Sequence, residues 1–169
     1  MREVDPQPLT AAAFAPFGDV IEASEHARQI PINHGYTTRF HDLAGIDVAD
    51  GNGRAIVSLF RARPLNPPLL KVFERHPLGS QAFMPLGGRP FLVAVAPAGH
   101  FDPAAVQVFR AQPHQGVNYA KGTWHHFLLA LEAESDFLVI DREGPGDNCD
   151  ELDLLPAAQI MVRPPISGK

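Results

Sequence analysis

The chain has 169 residues and a formal net charge of −5, with 45% hydrophobic and 20% charged residues. A chain of that size fits one domain, residues 1–169, and can bury roughly two-thirds of its extended surface, so one core is expected. The composition excludes a disordered or membrane protein. The longest apolar runs, Phe91–Ala98 and Phe127–Leu131, fall far short of a bilayer span. With no basic cluster, nucleic acid is a poor partner and a small molecule the better one. Met1-Arg2-Glu3-Val4-Asp5-Pro6 lacks the apolar stretch of a signal peptide, and the one cysteine, Cys149, cannot form an internal disulfide. A cytoplasmic location is expected.

In chain order, Thr10 before Ala11-Ala12-Ala13-Phe14 reads as the N-cap of a short helix that Pro16 and Gly18 end. Asn33 to Gly53 has few strand features and is either a long loop or an edge hairpin. Spread through the whole chain, 17 prolines and 14 glycines cut it into strand-length pieces. Strands are predicted at Ala55–Arg61, Leu70–Glu74, Gln81–Pro85, Phe91–Ala96, Val106–Arg110, Gly116–Tyr119, His125–Leu131 and Phe137–Asp141. Leu86-Gly87-Gly88-Arg89-Pro90 reads as a tight turn. Eight strands and one short helix predict an all-β, jelly-roll barrel.

Three polar clusters stand out: Glu74 to Gln81, Gly116 to His126, and Asp141-Arg142 with Asp147 to Asp150. Alternation along a strand puts His125 on one face with Phe127, Leu129 and Leu131, and Trp124 with His126 on the other. The same count puts Glu74 with Val72 and His76, so His76 and His125 meet inside one barrel mouth. Two imidazoles in an apolar cavity suit a transition metal, or one suits a general base near neutral pH. The plainer readings stand beside these. A strand-end His such as His76 is as often structural, Glu74 and Arg75 form an exposed ion pair, and Asp147 to Asp150 is a solvated turn without EF-hand spacing.

At these residues the sequence resembles the cupin superfamily, whose first motif carries two His and a Glu and whose glycine-rich second motif ends in His. Glu74-Arg75-His76 with Gln81 matches a degenerate first motif, and Gly116 to His125 the second. The departures are Glu74 in place of the first His and Gln81 at the acidic position, where an amide supplies no anionic ligand. More specifically, the chain resembles the ureidoglycolate lyase family over nearly its whole length. The runs that carry this are Phe17-Gly18-Asp19-Val20-Ile21-Glu22, Ile32-Asn33-His34-Gly35, Arg39-Phe40-His41-Asp42-Leu43, Glu74 to Phe83, Gly116-Val117-Asn118-Tyr119, Trp124-His125-His126, and Asp141-Arg142 with Asp147-Asn148-Cys149-Asp150.

The resemblance implies a cupin-like homodimer that splits ureidoglycolate into glyoxylate and urea, with nickel as a cofactor although the residues themselves require none. His76 and His125 would be its catalytic residues, or its metal ligands if nickel is bound. The substrate is a carbinolamide beside a carboxylate, so the reaction needs a base for the hydroxyl, an acid for the leaving nitrogen and a carboxylate clamp. Arg39 and Arg75 are the clamp candidates, because a guanidinium matches both carboxylate oxygens. On a regular strand, however, Arg75 faces away from His76. Gln81, Asn33 and Asn118 offer amide hydrogen bonds to the ureido group, and Tyr119 and Trp124 are expected to wall the pocket. Three other functions compete: an amidohydrolase releasing ammonia, a metal-dependent cupin enzyme of another reaction type, and a non-catalytic cupin binding glyoxylate or a related small acid.

Overall fold

The structure, a computed structural model, describes residues 1–163. β1 (Arg2–Val4) and β2 (Gln7–Pro8) precede one helical turn, α1 (Ala11–Phe14), whose cap Thr10 accepts a hydrogen bond from the Ala13 N–H at 3.2 Å. β3 (Gly18–Ile21) leads to a hairpin of β4 (Arg28–Ile32) and β5 (Thr37–His41). There follow β6 (Arg54–Ala62), β7 (Leu69–Leu70), β8 (Val72–Arg75), β9 (Gln81–Pro85), β10 (Phe91–Ala96), β11 (Gln107–Ala111) and β12 (Gly116–Tyr119). β13 (Trp124–His125), β14 (Leu129–Ala130), β15 (Ser135–Glu143), β16 (Asp150–Asp153) and β17 (Ile160–Val162) complete the series.

Two sheets face each other. One runs β3-β12-β9-β15-β6, and the other β16-β8-β13-β10-β11-β2 with β14 also paired to β10. Between them pack Phe83, Val117, Phe137 and Val139 from the first sheet and Phe91, Val93, Val95 and Phe109 from the second, joined by Phe14 and Phe17. Full burial of such side chains stabilises by about 1.5–3 kcal/mol each. The second sheet has a core on its other side as well. There Leu92, Ala94, Ala96, Val108 and Trp124 are covered by Leu70, Ile160 and Val162 of a small third sheet, β1-β17-β7. This double cover explains the unbroken apolar run of β10, whose six residues are all buried.

The result is a β-sandwich of two main sheets. The two main sheets stay separately hydrogen-bonded, the double-sheet arrangement of the all-β jelly roll that the sequence predicted. Two predicted strands are broken. Leu70–Glu74 divides at Lys71, so that β7 and β8 join different sheets, and His125–Leu131 divides after His125. The second break resets the alternation: His125 pairs with Val95 on the inner face, whereas Leu129 belongs to the outer core and Phe127 is 47% exposed. The expected common face of these residues therefore does not exist. Of the undecided stretch, residues 33–41 belong to the β4–β5 hairpin and 42–53 form a loop.

That loop is fastened beside the sandwich. Ser80 and Asp47 exchange two hydrogen bonds of 2.8 Å, from the Ser80 N–H to the Asp47 carbonyl and from the Asp47 N–H to Ser80 Oγ. The buried Arg142 guanidinium donates to the carbonyls of Asp50, Gly51 and Pro145. Gly79 admits this arginine, since a Cβ there would lie 2.7 Å from Arg142 Cβ.

Candidate active site

Phe73 packs in the outer core, so strand alternation turns its neighbours Val72 and Glu74 to the inner face. Glu74 stands opposite His125, which is 1% exposed. His76 follows immediately after β8. The imidazoles of His76 and His125 lie with ring centres 5.1 Å apart, and Glu74 Oε1 is 4.0 Å from His76 Nε2 and 3.8 Å from His125 Nδ1.

The hydrogen bonds set the tautomers. His76 Nδ1 lies 2.7 Å from the Asn148 carbonyl oxygen, which only accepts, so Nδ1 carries a proton and the neutral form of the ring has its lone pair on Nε2. Asn148 is itself held by the Leu78 N–H, which donates to its Oδ1 at 2.7 Å. His125 Nδ1 likewise faces the His126 carbonyl at 3.3 Å. Both Nε2 atoms are buried without a hydrogen-bond partner among the described residues. An orphaned buried nitrogen is costly unless a ligand, an ion or water meets it.

The electrostatics separate the two rings. Burial, reinforced by the neighbouring His76, pushes the His125 pKa down to about 3, so this imidazole is neutral at physiological pH. Burial raises the Glu74 pKa, with Glu151 adding to the rise and His76 opposing it. Tyr119 stacks on His125 with ring centres 4.3 Å apart and planes 8° from parallel, and burial raises its pKa so that it keeps its proton. The ligand atoms of Glu74, His76 and His125 all lie within 4.8 Å of one another. Two imidazole nitrogens without hydrogen-bond partners and one carboxyl group are a donor set that fits a divalent transition ion.

Gln81 continues this wall. It stands opposite Tyr119 in the sheet and donates from Nε2 to Asp141 Oδ2 at 3.1 Å. The structure thus gathers His76, His125, Gln81 and Tyr119 on the inner side, and the other five predicted site residues lie elsewhere. Arg75 and Trp124 share the back of the sheet. There Arg75 binds Asp150 Oδ2 at 2.8 Å and the Gly99 carbonyl at 2.9 Å, with its guanidinium 4.6 Å above the indole. Asn118 points to the outer side of its sheet and secures Asp19 and the Gly45 carbonyl. Asn33 and Arg39 sit exposed on the β4–β5 hairpin, where Asn33 bonds Thr37. The physical reason is common to Arg75, Trp124 and Asn118: each is one residue out of phase with an inward neighbour.

Glu74, Asn148 and Asp141 were missed as site residues. For Glu74 the signal was its common face with Val72 and His76, and for Asp141 its alternation in phase with the buried Val139 and Phe137. Asn148 acts through its carbonyl, which no side-chain pattern reveals. A cavity of about 480 Å³ lies apart from this cluster, lined by Glu22, His26, Arg28 and His41 among others. Chemistry rather than volume marks the candidate site.

The family model described as ureidoglycolate lyase matches residues 1–161. The chain is 57% identical over 155 residues to the ureidoglycolate lyase of Burkholderia mallei, covering 91% of each chain. It is 50% identical to that of Pseudomonas entomophila over 98% of this chain and 99% of the relative. A dTDP sugar isomerase from Desulfovibrio desulfuricans G20 superimposes with a TM-score of 0.46 at 14% identity, covering 85% of this chain and 89% of that one. The chain therefore belongs to the ureidoglycolate lyase family.

Proposed function

We propose that the protein is an enzyme that cleaves (S)-ureidoglycolate to glyoxylate and urea, a carbon–nitrogen lyase of allantoin breakdown. The observation that carries the reading is the inward cluster of Glu74, His76 and His125 in a chain at least half identical to proteins named for this activity. His76 is the base, because its Nε2 lone pair is free and its ring is fixed by the Asn148 carbonyl. His125, held neutral by burial, is a poor base and orients Glu74 and Tyr119. Glu74, whose pKa is raised, carries a proton toward the leaving nitrogen. Arg39 is the carboxylate clamp, since Arg75 is committed to Asp150, Gly99 and Trp124. In the homodimer we propose, the hairpin of either copy can present it.

Glu74, His76 and His125 would also hold a nickel ion, and the chemistry supplied there is Lewis-acid activation of the hydroxyl. His76 Nε2 would then be a ligand instead of a base, and chelation tells the two uses apart. No helix among the described residues is long and apolar enough to cross a membrane. A cytoplasmic location is part of the same proposal, supported by the single unpaired cysteine.

The test incubates chelated protein with (S)-ureidoglycolate and follows urea, ammonia and glyoxylate. Urea and glyoxylate rising together above the spontaneous rate are expected. Ammonia would mean an amidohydrolase, product only after nickel is restored would make His76 a ligand, and no turnover with or without metal would leave a binding protein.

A further inference from the structure

Two buried acceptors beside the histidines are unexplained by proton transfer. Gln81 is 6% exposed and Asp141 shares the inward phase of Phe137 and Val139 on β15. The pairing Ile140↔Ala82 places Asp141 next to Gln81, and Gln81 stands opposite Tyr119, whose ring lies on His125. An arc of polar side chains thus runs along the inner wall from Glu74 through His125 and Tyr119 to Gln81 and Asp141.

The orientation of the Gln81 amide follows from its neighbour. A carboxylate oxygen accepts, so the Gln81 amino group faces Asp141 Oδ2, as the 3.1 Å contact has it. What remains is Gln81 Oε1 and Asp141 Oδ1, and both are buried with no partner among the described residues. Two neighbouring buried acceptors without donors are complementary to a ligand offering two N–H groups. The ureido end of ureidoglycolate is such a group, whereas glyoxylate has none.

We propose that Gln81 and Asp141 form a paired acceptor that reads the ureido N–H groups, with Asp141 the specificity-determining residue. The proposal rests on the lyase reading and deepens it. It also revises the expected role of Gln81: its amino group is spent on Asp141, so it serves the substrate as an acceptor.

Asp141→Asn tests this with little change of shape. Two facing amides must spend one donor and one acceptor on each other, so whichever way they turn, one of the two free acceptors becomes a donor. Gln81→Met removes the other acceptor. The probes, titrated calorimetrically into the full chain, are N-carbamoylglycine and N-acetylglycine, which share the carboxylate and inner N–H and differ in the terminal amino group. Wild type should bind the carbamoyl compound about tenfold or more tightly than the acetyl compound. In both variants that ratio should fall to about threefold or less while glyoxylate binding persists, which also reports that they are folded.

A wild-type ratio near one, or a ratio unchanged in Asp141→Asn, overturns the proposal. Turnover of ureidoglycolate in a wild type that shows no discrimination would leave the lyase reading standing and remove the acceptor pair. Discrimination without turnover would do the reverse.

Discussion

The two faces of the sheet that carries β8 and β13 use adjacent residues for opposite ends. On the inner face, His76, His125 and Glu74 leave two ring nitrogens bare. On the back, Arg75 and Trp124 have hydrogen-bond partners, and His126 has one at Nδ1. Arg75 lies over Trp124, Trp124 donates to the Gly99 carbonyl at 2.9 Å, and His126 packs edge-on against Phe73 while its Nδ1 meets the Phe127 carbonyl. Both faces are buried and aromatic. On β8 and β13, partnerless polar atoms separate the site from the core behind it, and residue type does not.

The largest effect that would sharpen this contrast is on stability. Trp124→Ala should remove about 3–5 kcal/mol in a denaturant titration, because a large side chain leaves the outer core. The remaining folded enzyme should keep its kcat within about threefold, and a collapse of kcat at unchanged stability would put Trp124 back in the pocket.

Acid should weaken both faces. Burial lowers the pKa of His126 to about 4 and of His125 to about 3, from an ordinary value of about 6.5. As pH falls below about 6.5 the unfolded chain takes up two protons that the native chain refuses until about pH 4 and 3. Stability is therefore complete above that window and is lost on descending through it, by up to about 1.4 kcal/mol per pH unit for each ring. Melting curves of His126→Leu should show a shallower slope than wild type. An equal slope would mean that His126 is not the buried neutral group described.

Smaller changes probe the supports. Asn148→Ala strips the Leu78 N–H of its acceptor and should cost about 1 kcal/mol. It should also lower kcat/KM about tenfold by loosening the His76 ring, with the acid limb of the pH–rate profile displaced. The conservative Asn148→Asp keeps an acceptor for that N–H and should restore both. A stability loss with an unmoved profile would confine Asn148 to the loop. Arg75→Ala should cost about 1 kcal/mol through the lost indole contact and leave KM unchanged. A raised KM would restore Arg75 as the carboxylate clamp.

Much of this was legible where the chain is regular. The Thr10 cap, the turn at Gly87-Gly88, the apolar run of β10 and the shared phase of Glu74 and His76 follow from local pattern, and the quoted family runs reach the lyase family; His125 does face inward, but not on the common face with Phe127, Leu129 and Leu131 from which that was read. The pattern failed where the backbone leaves the strand. The break after His125 put Leu129 on the opposite side from the one alternation predicts, and the split at Lys71 sent β7 to another sheet. Among site residues, Glu74 shared the counted face of His76 and was still read as half of a surface ion pair, because its neighbour Arg75 offered the opposite charge. That arginine pairs instead with Asp150, 75 residues away. Asn148 could not be read at all, since its carbonyl serves His76 across 72 positions.

The most direct test of the central claim is the turnover of (S)-ureidoglycolate by His76→Ala beside His126→Leu, each compared with wild type at equal folded fraction. His76→Ala should lose about 10²–10⁴-fold in kcat, and His126→Leu should change within about threefold. Wild-type kcat in His76→Ala, or equal losses in the two variants, would contradict that claim.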